Sequence, residues 1–152
     1  LVGGDKKDYE ECLPIFQAMG TNITYFGAAG SGQHAKMANQ IMIAGTLSGI
    51  CEAFTYAKAE GLDLNMFTDA VSTGAAGSKQ LDFQGRKILD NNYEPGFFMK
   101  HFVKDMKLAQ EEAESAGLGL NVLGQVLDNC EKLVENGDGD LGTQALIKYY
   151  MR

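Results

Sequence analysis

From Gln33 to Glu60 the sequence holds no proline and no cluster of turn-forming residues. A stretch of this kind predicts a single helix, about 40 Å long at about 1.5 Å per residue, with Gly61 as its stop. Between Ile41 and Ala59 apolar residues cover nearly the whole circumference, the pattern of a helix surrounded by others. A chain built on such a pillar has to wrap further helices around it. Shorter helices are expected at Leu64 to Val71, Ser78 to Asp90, Met99 to Ala116, Asn121 to Asn136 and Thr143 to Tyr150. Glycine or asparagine turns separate them, and Glu135 to Gly142 reads as a short polar loop. The 19 glycines and only two prolines, Pro14 and Pro95, fit many helix ends and few breaks. From Gly32 onward the expected class is all-helical.

The segment before the pillar reads differently. Leu1-Val2-Gly3-Gly4-Asp5 looks like a strand that has just ended in a turn, so the chain is expected to begin in mid-domain. Asp8 is placed to cap a helix reaching Met19, because Cys12, Ile15, Phe16 and Met19 recur at helical spacing before Gly20. In Thr21 to Phe26, Ile23 and Tyr25 alternate with Asn22 and Thr24, which predicts a strand.

Charge and cysteine usage exclude several functions. At 152 residues the chain suits one domain with a real core. A formal net charge of -7, from 20 acidic and 13 basic residues, argues against a nucleic-acid partner. Cys12, Cys51 and Cys130 are odd in number and widely spaced, which fits neither a disulfide framework nor a cysteine-rich zinc site and points to a reducing cytoplasm. Glu52 and Lys58 interrupt the most apolar run, so neither a membrane span nor a signal peptide is expected. The two histidines, His34 and His101, belong to no metal motif, and no metal site is predicted. No Gly-x-Ser-x-Gly elbow is present, and Cys51 falls in the apolar pillar, where a thiol is usually inert.

Two clusters remain. Gly30-x-Gly32-x-x-Ala35 follows an expected strand and opens a helix, as a dinucleotide fingerprint does. The fingerprint also needs a second parallel strand ending in an acidic residue roughly 20 residues on, whereas Glu52 lies within uninterrupted helix. A P-loop fails as well, because Gln33 and His34 stand where Lys and Ser/Thr are required. The glycines then serve as a sharp turn into the pillar. Just beyond them Lys36, Asn39 and Gln40 stand at i, i+3 and i+4 on one face. The lysine is set against the positive end of the helix macrodipole and suits proton transfer, and the amides can bind a hydroxyl or carboxylate. A solvated polar face explains the same spacing. The second cluster runs from Pro95 to Ala109, with Lys100, Lys104 and Lys107 as a helical stripe opposite Phe102, Met106 and Ala109. A wet face over a core face accounts for it too, and Lys107 with Glu111 reads as an intrahelical ion pair.

Taken together, Val2-Gly3-Gly4-Asp5, Gly30-Ser31-Gly32-Gln33 with Lys36 and Asn39-Gln40, and Gly96-Phe97 with Lys104-Asp105 follow an order and spacing that resembles the β-hydroxyacid dehydrogenase family. That family includes 3-hydroxyisobutyrate dehydrogenases and tartronate semialdehyde (2-hydroxy-3-oxopropionate) reductases, and the Gly-Ser-Gly-Gln and Ala-Asn-Gln details look closest to the latter. The resemblance implies a mainly α fold, an all-helical domain like the C-terminal domain of 6-phosphogluconate dehydrogenase. It would surround one long central helix, preceded by a strand-helix-strand remnant of a Rossmann domain. Residues 1–28 would be that remnant and residues 29–152 the substrate and dimerisation domain. The cofactor loop and the Ser-Gly-Gly segment that holds the substrate carboxylate would then lie outside this chain, leaving it inactive alone.

By the same resemblance Lys36 is the catalytic general acid/base, and Asn39 and Gln40 bind and orient the substrate. Lys104 reaches the NAD or NADP cofactor at the domain cleft, where Phe97 and Asp105 are its neighbours. Met106 replaces the leucine common after Lys-Asp, a volume-conserving change. A small hydroxyacid substrate and a homo-oligomer, dimer or tetramer, are implied. The contrasting hypothesis is a non-catalytic helical dimerisation module whose lysines are only solvated surface.

Overall fold

The computed structural model describes residues 1–151 and forms two compact units, one spanning Leu1–Gln40 and the other beginning at Ile41. In the first, α1 (Lys6–Met19) is capped by Asp5, whose carboxylate accepts from Lys7 N–H at 2.8 Å. The expected cap, Asp8, lies inside the first turn, where its charge still faces the positive end of the helix. The anticipated strands shrink to one parallel bridge, Val2 to Tyr25, made by Val2 N–H on Thr24 O and Phe26 N–H on Val2 O. Among the described residues these two segments pair only with each other, and an isolated two-stranded pairing is marginal. Tyr25 secures the unit by donating its hydroxyl to Gly4 O and stacking on Tyr9 at 4.9 Å.

The long helix is present as α2 (Ser31–Ala59), 29 residues without a break. It ends where Gly61 turns to φ +76°, letting Leu62 N–H reach back to Ala57 O at 2.9 Å. In the second unit its buried face carries Ala44, Leu47, Ile50, Cys51, Phe54 and Ala57. The opposite face, with Met42, Thr46, Gly49, Glu52 and Tyr56, is exposed, so a single chain covers only part of the apolar circumference.

After α2 the chain forms α3 (Leu64–Ser72), α4 (Arg86–Leu89), α5 (Met99–Ser115), α6 (Asn121–Glu135) and α7 (Ile147–Tyr150), and α2 meets α3 through Phe54 on Phe67 and α7 through Ser48 on Tyr150. Asp63 caps α3 through Met66 N–H at 2.8 Å. The helix expected over Ser78 to Asp90 contains a π turn, Leu81–Gly85, before α4. Gly85 sits there so close to its neighbours that a Cβ would lie 3.0 Å from Leu81 Cδ1 and 3.5 Å from the Phe54 ring. The last predicted helix likewise opens as a 3-10 turn, Thr143–Leu146. Lys107 of α5 reaches Glu131 of α6 at 2.6 Å rather than forming the anticipated pair with Glu111. The Tyr150 hydroxyl joins three elements, lying 2.7 Å from Ser48 Oγ and accepting from Asn129 Nδ2 at 3.2 Å.

Candidate functional site

Each unit holds one of the two clusters. In the first, a cavity of about 460 Å³ is lined by Val2, Gly3, Gly30, Gly32, Gln33 and Lys36, among others. Its floor is a close backbone crossing: a Cβ on Gly3 would meet Gly32 N at 2.6 Å, and one on Gly32 would meet Gly3 N at 2.9 Å. Two glycines some thirty residues apart therefore allow the extended start of the chain to cross the entry of α2. Lys36 is half-buried on the cavity wall in the second turn of α2. Gln33, one turn earlier, shares the lining. The sequence placed Gln33 within the motif but assigned it no role, although its i, i+3 spacing from Lys36 was the available signal. Asn39 is exposed and donates its amide to Gln40 Oε1 at 3.2 Å, while Gln40 is only 6 % exposed. Both stand outside the cavity lining. An ammonium on the wall of a glycine-floored cavity can hydrogen-bond to, and exchange a proton with, an oxygen of a small ligand.

In the second unit the residues gather at the start of α5. Phe97 and Phe98 are each partly exposed, 37 % and 36 %, just ahead of the helix. Phe97 leans edge-on against the buried Phe102 at 6.3 Å and lies 6.2 Å from the His101 ring. One turn on, Lys104 is exposed and its Nζ lies 3.2 Å from Oδ1 of the buried Asp105. Lys100 pairs with Asp140 at 2.6 Å, which holds the Asp140 carboxyl below its ordinary range, and it also rests 5.4 Å above the Phe98 ring. The result is an aromatic and cationic surface over a buried carboxylate. Lys104 and Asp105 are thus in contact, with Phe97 just ahead of the same helix, whereas Asn39 and Gln40 pair with each other outside the cavity that Lys36 lines.

Among the described residues no group of three His, Cys, Asp or Glu side chains could hold a metal ion, and no helix is long and apolar enough to cross a membrane.

Residues 30–150 match the family described as NAD-binding of NADP-dependent 3-hydroxyisobutyrate dehydrogenase. An uncharacterised oxidoreductase of Bacillus subtilis is 45% identical over 152 residues, covering 100% of this chain and 53% of that protein. A probable 3-hydroxyisobutyrate dehydrogenase-like mitochondrial protein of Arabidopsis thaliana is 44% identical over 147 residues, 97% of this chain and 44% of its own length. The chain therefore spans about half the length of these curated relatives. Among solved structures, 3-hydroxyisobutyrate dehydrogenase of Mycobacterium tuberculosis, determined with L-serine, superposes with a TM-score of 0.91. It is 25% identical, over 99% of this chain and 54% of that one. With a family match over most of its length and a solved member sharing its helical architecture, this chain belongs to the 3-hydroxyisobutyrate dehydrogenase family.

Proposed function

We propose that this chain is the substrate-side part of an oxidoreductase that moves hydride between a nicotinamide cofactor and a small β-hydroxyacid or its semialdehyde. Residues 1–28 belong in this reading to the end of a dinucleotide-binding domain and residues 29–152 to the helical substrate and dimerisation domain. The observation that carries it is Lys36 on the wall of a glycine-floored cavity, in a chain whose residues 30–150 match a nicotinamide-cofactor family. At the start of α5 the donor set fits such a cofactor, with an exposed Phe97 ring for an aromatic face and the Lys104 ammonium for phosphate charge. When bound, the nicotinamide supplies or accepts the hydride.

The chain's own residues do the rest. Lys36 gives a proton to the carbonyl oxygen as the semialdehyde is reduced and takes it from the hydroxyl in the reverse direction. Asn39 and Gln40 orient the substrate and the lysine, and the buried carboxylate of Asp105 fixes Lys104. Unlinked from the remainder of its parent, the chain is inactive. Its free thiols, Cys12, Cys51 and Cys130, suit a reducing cytoplasm. The exposed face of α2 favours self-association as well, and the non-catalytic reading would leave that as the chain's only role.

In the full-length protein that contains this chain, Lys36→Ala is expected to lower kcat about 10²- to 10⁴-fold with either 3-hydroxyisobutyrate or 2-hydroxy-3-oxopropionate. Cofactor binding and folding should persist. An unchanged kcat would remove Lys36 from the chemistry, and an inactive wild type would favour the non-catalytic module.

A further inference from the structure

The loop ahead of α5 is held from the far end of the chain. Gln144 has no exposed surface, and its amide NH₂ donates to Asn92 O at 2.9 Å and Glu94 O at 3.1 Å. On either side the main chain continues the clasp, with Gly142 N–H on Tyr93 O at 2.9 Å, Thr143 N–H on Phe97 O at 3.1 Å and Met99 N–H on Leu141 O at 2.8 Å. An antiparallel bridge joins Phe98 to Gly142. The fit leaves no slack at the hinge of the clasp, since a Cβ on Gly142 would fall 2.3 Å from Gln144 Oε1. That same oxygen is buried without a hydrogen-bond partner. A structure that needed only filled space here would use an apolar side chain, because an unsatisfied buried carbonyl costs about 1–3 kcal/mol. Two donated bonds into one loop are what the glutamine provides in return.

We infer that Gln144 is a positioning residue for the cofactor-facing edge of α5: it fixes the Asn92–Phe98 loop and through it the Phe97 ring and the first turn of the helix that carries Lys104. This rests on the cofactor role proposed above for Phe97 and Lys104. Gln144 touches neither of those side chains in the contacts that define it, and acts on them through the loop main chain. Methionine has a similar shape and no donor, so Gln144→Met releases Asn92 O and Glu94 O while keeping the core filled.

The test uses the full-length protein. NADH and NADPH dissociation constants are measured by dihydronicotinamide fluorescence for the wild type, Gln144→Met, Phe97→Ala and the double variant. Hydrogen exchange is followed at the amides of Met99, Gly142 and Thr143. Gln144→Met is expected to weaken cofactor binding about tenfold, and by clearly less than that when Phe97 is already alanine, because only the route through the start of α5 then remains. The three clasp amides should exchange faster while those of α6 keep their protection. A purely structural role would speed exchange throughout the unit and add its effect to that of Phe97→Ala, and either result overturns the inference. Unchanged affinity in Gln144→Met beside a wild type that binds also overturns it while leaving the proposed function standing. A wild type that binds neither cofactor overturns the functional reading and this inference with it. Should Gln144→Met not fold, Gln144→Asn, whose shorter amide cannot reach both carbonyls, takes its place in the same measurements, and the same results support or overturn the inference.

Discussion

At Gly32 a missing side chain matters more than most present ones. An added Cβ would meet main-chain atoms only, Gly3 N at 2.9 Å, Val2 C at 3.0 Å and Leu1 O at 3.1 Å, and backbone cannot swing aside as a flexible side chain can. Gly32→Ala is therefore expected to lower stability by about 1–3 kcal/mol. Gly49 offers an internal contrast on the same helix, since its exposed Cβ position has nothing within 4 Å. There the same substitution should stabilise by about 0.5–1 kcal/mol, because alanine gives up less backbone entropy in a helix than glycine does. Urea unfolding of both variants checks the pair, and shifts of the same sign at the two positions would refute the crossing as the cause. The crossing also bears on the candidate site, because it forms the floor beneath Lys36.

The helices themselves were largely legible from spacing, and what escaped was set by partners distant in sequence. Periodicity and glycine stops place α2, α5 and α6 to within two or three residues at each end. The π turn at Leu81–Gly85 was not legible, for it goes with the approach of Gly85 to Phe54, some thirty residues earlier. Asp5 and Asp8 both stand ahead of the same apolar face, and only the bond to Lys7 N–H tells which one is the cap. At the candidate site, the 3.6-residue period put Lys36, Asn39 and Gln40 on one face but could not say that the two amides would pair with each other. Gln144 gave no signal at all, being one glutamine in a short turn whose partners lie some fifty residues away. The clearest departure concerns α2, whose nearly continuous apolar circumference from Ile41 to Ala59 reads as a helix surrounded by others yet leaves Met42 at 74% and Tyr56 at 68% exposed. The self-association proposed above covers that face with the same face of a second copy. Sedimentation at tens of micromolar should then find an oligomer in the wild type. Met42→Glu combined with Tyr56→Glu should shift it to monomer, and a monomeric wild type or an unaffected variant would rule the face out.

For the whole molecule, the buried thiols impose a direction on how stability changes with pH. Cys51 and Cys130 have no exposed surface, and burial pushes both thiols up, Cys130 from the ordinary 9.0 to about 12 and Cys51 further. In the unfolded chain each ionises near its ordinary value while the folded chain keeps its proton, so above that value the unfolded state binds fewer protons. Stability must then fall as pH rises. The contribution is complete below about pH 9 and is lost progressively toward the folded values, at about 1.4 kcal/mol per pH unit for each thiol. At pH 10.5 this amounts to about 2 kcal/mol per thiol, or about 4 kcal/mol for the pair. Other alkaline terms act in the same window, including self-repulsion in a chain whose formal net charge is already -7 at pH 7. The informative quantity is therefore a difference between proteins. Urea unfolding under reducing conditions at pH 7.5 and pH 10.5 is compared for the wild type and for Cys51→Ala with Cys130→Ala. The alanine variant begins less stable because it leaves two small cavities, but its loss between the two pH values should be smaller by about 4 kcal/mol. Equal losses would mean that the thiols ionise alike in the folded and unfolded chains, and the burial of Cys51 and Cys130 would have to be reconsidered.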